Sequence, residues 1–416
     1  MARAPRIGLL KALTFLMFAM FAMTTDSVGV IIPHVIKHYS LGMTAGGAFQ
    51  YATMSGISIA AFGLGFLADR WGRKRGIVAG LMLFGVSSAL FAVGHDFLFF
   101  VGLLFLSGLA IGVFKAGALA LIGDISRSTR EHAATMNMVE GFFGVGAIVG
   151  PAIVARLLLS GLDWKWLYVI ASVLCAALVA MAGLARYPKP PDRAGAGQRR
   201  LAETWSLLRD PFALGFSLAL MLYVAAEAAV YVWAPTYLEG YHGPLAWFAL
   251  YVVSIFFVLR AAGRFLGAWL LARLPWPVVL AVCSGGVFVC FLTACVGGRG
   301  VAAVTLPVSG LFMSVLYPTI NSKGISSVAK PRHGEIAGLL LFFTCLSAVL
   351  APLAMAAVSD ALGDAKYSLY LASVFAGLLS ALGVWNAATN PTRQRLSERD
   401  DEDYLDQPVV AAGAVP

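Results

Sequence analysis

Apolar windows of about 20 residues recur along almost the whole chain, and this recurrence most constrains how the chain can fold. A helix of that length crosses the roughly 30 Å hydrocarbon core of a bilayer. Hydrophobic residues make up 60% of the 416 and charged residues only 12%, with a mean hydropathy of +0.82. This composition lies far from that of a soluble domain. The sequence therefore predicts an all-α integral membrane protein.

Twelve such windows can be counted, and they are numbered here span 1 to span 12 in chain order. Span 1 follows a basic N-terminus, as a signal peptide does, but it is longer than one and has no evident small-residue cleavage site, so we expect it to be retained. The expected limits are 8–34, 45–68, 76–94, 97–123, 134–159, 165–186, 211–238, 245–272, 276–296, 300–322, 334–359 and 366–388.

The basic residues lie mainly in alternate loops between these windows. Loops on the cytoplasmic side of a membrane carry an excess of Lys and Arg, so we expect both termini to be cytoplasmic in a multi-pass protein of a bacterial inner membrane. The net charge of +9 then reflects topology and not nucleic-acid binding. The basic clusters are Arg3 to Lys11, Arg70 to Arg75, Arg127 with Arg130, Arg186 to Arg209, Arg273, and Lys330 with Arg332.

The chain also matches itself at an offset of 202 residues. Pro33 corresponds to Pro235, and the run from Ser107 to Leu109 corresponds to the run from Ser309 to Leu311. Because each copy holds an even number of spans, the copies have the same orientation. We therefore expect two six-helix bundles, 1–186 and 210–388, a cytoplasmic linker at 187–209 and a disordered cytoplasmic tail at 389–416.

The segment after span 2 reads GFLADRWGRKRG, from Gly65 to Gly76. It resembles the signature between helices 2 and 3 of the major facilitator superfamily, which implies the fold of that group of transporters. The resemblance gives a gating role to Gly65, Asp69, Arg70, Gly72 and Arg73. Asp69 would pair with Arg73, or with the positive N-terminus of a neighbouring helix, when the cytoplasmic side is closed. The alternative is a basic loop that only sets topology.

Three stretches of the second half are similar to the fucose permease group of proton-coupled sugar symporters: 263–274, 312–326 and 358–364. That group carries acidic residues at the centres of helices 1 and 4. Here span 4 has Lys115, and span 1 has Asp26 about one turn before the corresponding position, Gly29. The coupling scheme of the group therefore does not transfer directly. The run GVGAIVGP at 144–151 is in turn similar to a helix 5 signature of antiporters.

Five ionisable side chains are candidates for positions near the bilayer centre, where each costs at least about 2.5 to 3.5 kcal/mol unless it has a partner or a wet cavity. Counting helical rise from the cytoplasmic ends puts Lys115 and Glu140 at nearly one level, which predicts an ion pair between spans 4 and 5. The same count permits a pair of Glu227 with Arg260 in spans 7 and 8. Asp26 and Glu227 are nearly equivalent in the repeat.

Further cavity candidates combine hydrogen-bonding groups with aromatic faces, as suits a hydroxylated ligand. They are Gln50, Asn137, Trp233, Tyr317 and Asn321. For Lys115 with Glu140 two interpretations stay open: a fixed pair that joins helices, and a pair whose proton occupancy changes with the substrate. For Trp233 and Tyr317 simple helix packing is equally consistent with the sequence.

The leading hypothesis is a secondary active transporter that moves a sugar or similar small polar metabolite by alternating access, with proton symport. The alternatives are a transporter of an anionic metabolite held by Lys115 and Arg260, a proton antiporter or exporter, and a non-transporting membrane sensor. The sequence contains no nucleotide-binding glycine loop, metal-site pattern or nucleophile with a positioned base, so we expect no enzyme and no cofactor. The expected partners are the substrate, protons and the bilayer, and the expected state is a monomer.

Overall fold

The computed structural model describes residues 7–63, 72–126, 129–188, 206–329 and 332–400. The regular structure in these ranges is helical. In the first half, span 1 is Ile7–Thr25 with Val28–Tyr39, and Met43–Gly46 leads into span 2, Ala48–Gly63. Spans 3 to 6 are Arg73–Ala89, Phe97–Ile125, Thr129–Leu159 and Trp166–Leu184.

The second half follows the same order. Span 7 is Pro211–Ala228, continued by a π turn, Ala229–Trp233, and by Ala234–Leu238, and span 8 is Ala246–Leu250 with Val252–Leu271. Spans 9 and 10 form one helical segment, Trp276–Ser326. Spans 11 and 12 are His333–Leu362 and Lys366–Thr389, and a short helix, Arg393–Asp400, comes last.

The segment Trp276–Ser326 is two spans. At about 1.5 Å per residue its 51 residues would measure roughly 77 Å, more than twice the thickness of a bilayer core. Gly298 breaks it, with φ 72° and ψ −170°. Ten helices of the described ranges are long and apolar enough to cross a membrane, this segment among them. With that segment counted twice and span 2 added, the described residues are consistent with twelve spans.

The two halves pack in the same way. Span 2 packs on span 4 and span 8 on span 10, while span 1 packs on span 5 and span 7 on span 11. Glycines of the repeated sequence allow this approach: a Cβ on Gly108 would overlap the carbonyl oxygen of Thr53, and one on Gly310 would press on that of Phe256. The repeat thus places a glycine at the same helix crossing in each half.

Span 5 lies close against span 1 through the run similar to an antiporter signature. A Cβ on Gly146 would overlap the carbonyl oxygen of Ala19, and one on Gly150 would overlap that of Met23. Close helix packing therefore accounts for these glycines without a role in export.

The chain after span 12 folds back onto the second bundle. Asn390 turns the backbone with φ 42°, and the helix Arg393–Asp400 follows. Arg395 donates to the carboxylate of Asp210, at the start of span 7, and to the carbonyl of Ser327, 2.9 Å away at the end of span 10. The first part of the expected disordered tail is therefore a docked helix. Residues 401–416 and most of the linker, 189–205, lie outside the described residues.

Candidate functional site

Span 1 is interrupted next to the first intramembrane acid. Its two helices meet at Asp26 and Ser27, where Ser27 donates to the carbonyl of Met23 at 2.6 Å. The Asp26 carboxylate is partly buried and accepts a hydrogen bond from Thr25 Oγ1 at 3.1 Å. Among the described residues it has no ion-pair partner within 4.0 Å, although Arg260, Lys115 and Glu227 all lie within electrostatic range. Asp26 is thus a carboxylate with two cationic groups and one anionic group nearby, none of them in direct contact with it.

Spans 7 and 8 provide a buried ion pair. Arg260 Nη1 lies 2.5 Å from Glu227 Oε1, and the hydroxyl of Tyr223 donates to the same oxygen at 3.0 Å. Glu227 is 8% exposed, so water screens this pair little. The ring of Tyr223 lies 5.7 Å from that of Tyr317 on span 10. The pair expected in the second half is therefore present, with a tyrosine added.

The π turn of span 7 places two aromatic side chains between the halves. Tyr231 lies opposite Gln50 of span 2, whose Nε2 atom is 3.5 Å from the tyrosine hydroxyl. Trp233 donates from Nε1 to the carbonyl of Pro352 on span 11 at 3.1 Å. Inserted π turns are frequent at functional sites because they redirect side chains from the regular helical face.

Gln50 is fully buried and only partly satisfied. Its Oε1 atom has no hydrogen-bond partner among the described residues. An unpartnered buried amide oxygen costs free energy unless a ligand or water donates to it. Gln50 therefore offers an acceptor for a hydroxyl group at the interface between the halves.

Lys115 and Glu140 do not form the expected ion pair. Lys115 Nζ lies 5.2 Å from the ring centre of Phe143, while Glu140 Oε2 lies 4.0 Å from Arg264 Nη2 of span 8. Counting helical rise could not give the direction of either side chain: span 5 packs against spans 1 and 8 and has little contact with span 4. Glu140 therefore joins the two bundles.

The gating residues are only partly within the described ranges. Gly65, Asp69 and Arg70 lie outside them, and Gly72 has φ 82°. Arg73 is 6% exposed and its Nε atom lies 2.8 Å from Asp124 Oδ2 at the end of span 4. Asp124 is thus one partner of Arg73, while the expected partner, Asp69, lies outside the described residues.

Within the described part of the chain, the structure gives no side-chain hydrogen bond for the two asparagine candidates. The side chain of Asn137 lies outside the described ones, although its backbone is part of span 5. Asn321 is partly buried on span 10.

The halves also meet at the end of the bundles opposite the termini. Asp360, at the end of span 11, accepts from the backbone N–H of Met43 at 2.7 Å and from that of Thr44 at 2.8 Å, before span 2. The hydroxyl of Tyr51 donates to the carbonyl of Pro352 at 3.3 Å. These contacts close the interface on that side.

The sequence interpretation missed several contributors to the site. Tyr223 and Arg264 each lie one helical turn from a predicted charge, Glu227 and Arg260, so helical spacing could have identified them. Tyr231 and Asp360 had no such signal, since their partners come from the other half of the chain. The described residues hold no group of three or more His, Cys, Asp or Glu that could bind a metal ion.

Comparisons with known proteins agree with this architecture. The model of the Major Facilitator Superfamily matches residues 14–352. The L-fucose-proton symporter of Escherichia coli K12 is 25% identical over 390 residues, which cover 85% of this chain and 87% of the symporter. A glucose/galactose transporter of Brucella abortus is 24% identical over 371 residues, with 85% and 88% covered.

Solved structures show the same fold. A crystal structure of the E. coli fucose:proton symporter superposes with a TM-score of 0.63 at 21% identity, over 90% of this chain and 98% of that one. The nucleoside transporter NupG gives 0.76 at 14% identity, over 91% and 99%. Since the family model covers most of the spans, this chain belongs to the major facilitator superfamily.

Proposed function

We propose that this chain is a proton-coupled symporter that moves a sugar or a similar small polar metabolite by alternating access. The observation that carries the proposal is the central group of charges between the halves. Asp26 from span 1 has no ion-pair partner among the described residues, while Glu227 and Arg260 neutralise each other. A carboxylate without a fixed cation can bind and release a proton as its surroundings change. The named activities of the two sugar-transporting relatives support this choice.

The groups around this centre favour a neutral, hydroxylated cargo. The guanidinium of Arg260 already faces Glu227, so it offers no unpaired positive charge. Gln50 offers a free buried acceptor, and Tyr231 and Tyr317 add phenol groups and aromatic faces. Sites of this composition, few polar groups among aromatic walls, are typical of small-molecule binding.

Lys115 favours a second candidate, transport of an anionic metabolite such as an acidic sugar or carboxylate. No ion pair of Lys115 is present among the described residues, and its ammonium group lies over the Phe143 ring. A cationic group that is free of a carboxylate can bind the anionic group of a ligand.

The topology and the roles around this site are part of the same proposal. We place the protein in a bacterial inner membrane as a monomer, with both termini cytoplasmic and two bundles at 1–186 and 210–388. Asn137 and Asn321 would join Gln50, Trp233 and Tyr317 around the ligand, and Asp69 with Arg73 would act when the cytoplasmic side closes.

Proton movement in proteoliposomes containing the purified protein tests the proposal. Addition of a neutral sugar outside should make the external medium more alkaline, because protons enter with the sugar. Asp26→Asn should abolish uphill accumulation while counterflow exchange of the sugar continues. Accumulation that survives in Asp26→Asn would overturn the assignment of the coupling site.

The same assay separates the two cargo classes. Lys115→Met should leave the response to neutral sugars intact if Lys115 only influences the nearby acid. A proton response confined to anions in the wild type, and lost in Lys115→Met, would favour the anionic metabolite and overturn the sugar.

A further inference from the structure

A cavity of about 340 Å³ lies in the second bundle, away from the site between the halves. It is a partly open cavity lined by spans 7, 9, 10 and 12 at the end of the bundle that carries the chain termini. Its walls are almost entirely apolar and include Phe212, Phe216 and Leu316. This volume falls within the range of roughly 300 to 1,000 Å³ that small-molecule sites occupy. The transport proposal makes no use of it.

Polar groups without partners lie at one end of this cavity. Thr392 is 5% exposed, and its hydroxyl oxygen has no hydrogen-bond partner among the described residues. The Nδ2 atom of Asn386 and the Oδ1 atom of the neighbouring Asn390 are buried and equally unpartnered. Thr392 and Asn386 line the cavity. Buried polar groups are normally hydrogen-bonded, so this end suits the polar head of a ligand.

The cavity lies at the level of a membrane–water interface. Trp276, at the start of span 9, and Trp385, near the end of span 12, both line it. Tryptophan is enriched at that level because its ring is apolar and its N–H is polar. A molecule drawn from the adjoining leaflet would therefore place its apolar part among the helices and its head beside Asn386 and Thr392.

The floor of the cavity is the turn that docks the last helix. Pro391 and Thr392 belong to that turn, and Arg395, three residues later, is held by Asp210 and Ser327. Leu396 is 8% exposed under the same bundle. A ligand in the cavity would rest on this turn, so its binding and the docking of the last helix would stabilise each other.

We propose that this cavity binds a single-chain amphiphile, an acyl chain with a hydrogen-bonding head such as a free fatty acid. One chain suits the apolar volume of about 340 Å³, and one polar head suits the unpartnered donor of Asn386 and the hydroxyl of Thr392. A phospholipid would present the same chain chemistry but would need space for a second chain and a headgroup.

The two tryptophans of the cavity make the proposal testable in the full-length protein. Dodecanoic acid brominated in mid-chain, added to the protein in nanodiscs, should quench part of the tryptophan fluorescence saturably, and unbrominated dodecanoic acid should reverse it. Trp276→Phe and Trp385→Phe should each reduce the saturable part. Trp269→Phe is the control, because Trp269 is 50% exposed and does not line the cavity.

A second variant fills the cavity with a larger side chain. Gly215 lines the cavity, and a Cβ there would meet no atom within 4 Å, so Gly215→Leu should abolish saturable quenching without a clash. Gly102→Leu, on exposed span 4 backbone with equally open space, should leave it unchanged. Thr392→Val should weaken binding of the acid several-fold at nearly constant volume.

The outcomes distinguish a free fatty acid from a phospholipid as the ligand. Quenching by the free acid, lost in Gly215→Leu, supports the proposal. Quenching only by a phospholipid with a brominated chain would overturn the single-chain assignment. An absence of saturable quenching with either probe, or saturable quenching that Trp276→Phe and Trp385→Phe both leave intact, would overturn the site itself.

Discussion

Gly29 explains at the scale of one residue why the acid of span 1 lies where it does. A Cβ on Gly29 would overlap the carbonyl oxygen of Tyr231, because spans 1 and 7 cross there with their backbones in contact. In the present arrangement of the halves position 29 can therefore carry no side chain, and the carboxylate lies one turn earlier, at Asp26. The sequence showed the displaced acid but not its cause, which is a contact between residues 202 apart.

We predict that Gly29→Ala destabilises the arrangement in which spans 1 and 7 touch. Overpacking of this kind costs about 1 to 3 kcal/mol, and the cost falls only on the state with that contact. Spin labels at the exposed positions Lys37 and Glu239, on the outer ends of the two halves, should report a longer mean distance. Gly8→Ala is the control, since its Cβ would meet no atom. Equal distances in both variants would contradict the prediction.

The charged residues show which parts of a site can be predicted from their position along a helix. The sequence permitted a pair of Glu227 with Arg260, and the structure contains it. It also predicted a pair of Lys115 with Glu140, which the structure replaces with a pair of Glu140 and Arg264. Helical rise determines the level of a charge in the membrane, while the face that it occupies depends on how the helices pack.

We predict that Arg260→Gln lowers the free energy of unfolding by about 3 to 5 kcal/mol, because it leaves the buried Glu227 carboxylate without its cation. The double variant with Glu227→Gln should regain most of this loss. Thermal unfolding in detergent measures both effects. Arg264→Gln is the matched comparison: its pair with Glu140 is about half exposed, 46% and 55%, so about 1 kcal/mol or less should be lost. A double variant no more stable than Arg260→Gln would count against the pairing.

Between elements, the contact of span 11 with the start of span 2 joins the halves most directly. The Asp360 carboxylate accepts two backbone N–H groups that precede span 2, as an N-cap side chain does, but from the other bundle. A helix cap normally stabilises its own helix. Here the cap is lost whenever the bundles separate on that side. It therefore stabilises only the conformation in which that side is closed.

We predict that Asp360→Ala, which removes both acceptor oxygens, shifts the protein toward the state that is open on the side away from the termini. Loss of a cap costs about 0.5 to 2 kcal/mol, which changes the ratio of the two states by roughly 2-fold to 30-fold. The label pair at Lys37 and Glu239 should show the longer distance more often. Asp364→Ala tests the specificity, because Asp364 contacts only the nearby Lys366 among the described residues, through its backbone N–H at 2.8 Å and its ammonium group at 3.3 Å. An unchanged distribution in Asp360→Ala would exclude this latch.

For the molecule as a whole, the sequence predicted the internal repeat and the number of spans. It did not predict how the two halves contact each other. An offset of 202 residues revealed two equivalent bundles, because both copies need small residues at the same helix crossings. Which side is closed depends on contacts between residues far apart, such as Asp360 with Met43 and Gln50 with Tyr231. No local pattern encodes these contacts.

The arrangement of the halves predicts that a cysteine between them reacts faster from one side of the membrane than from the other. Cys345 of span 11 is partly buried beside Ser58 of span 2 and within range of Lys115, so it lies between the bundles. The contacts of Asp360 and Tyr51 close the path from the side away from the termini. With the termini cytoplasmic, as proposed, a membrane-impermeant maleimide should therefore label Cys345 faster in inside-out vesicles than in right-side-out vesicles, and a transported ligand should slow the reaction. Cys345→Ala measures the background from the other four cysteines, and equal rates from both sides would contradict a path closed on one side.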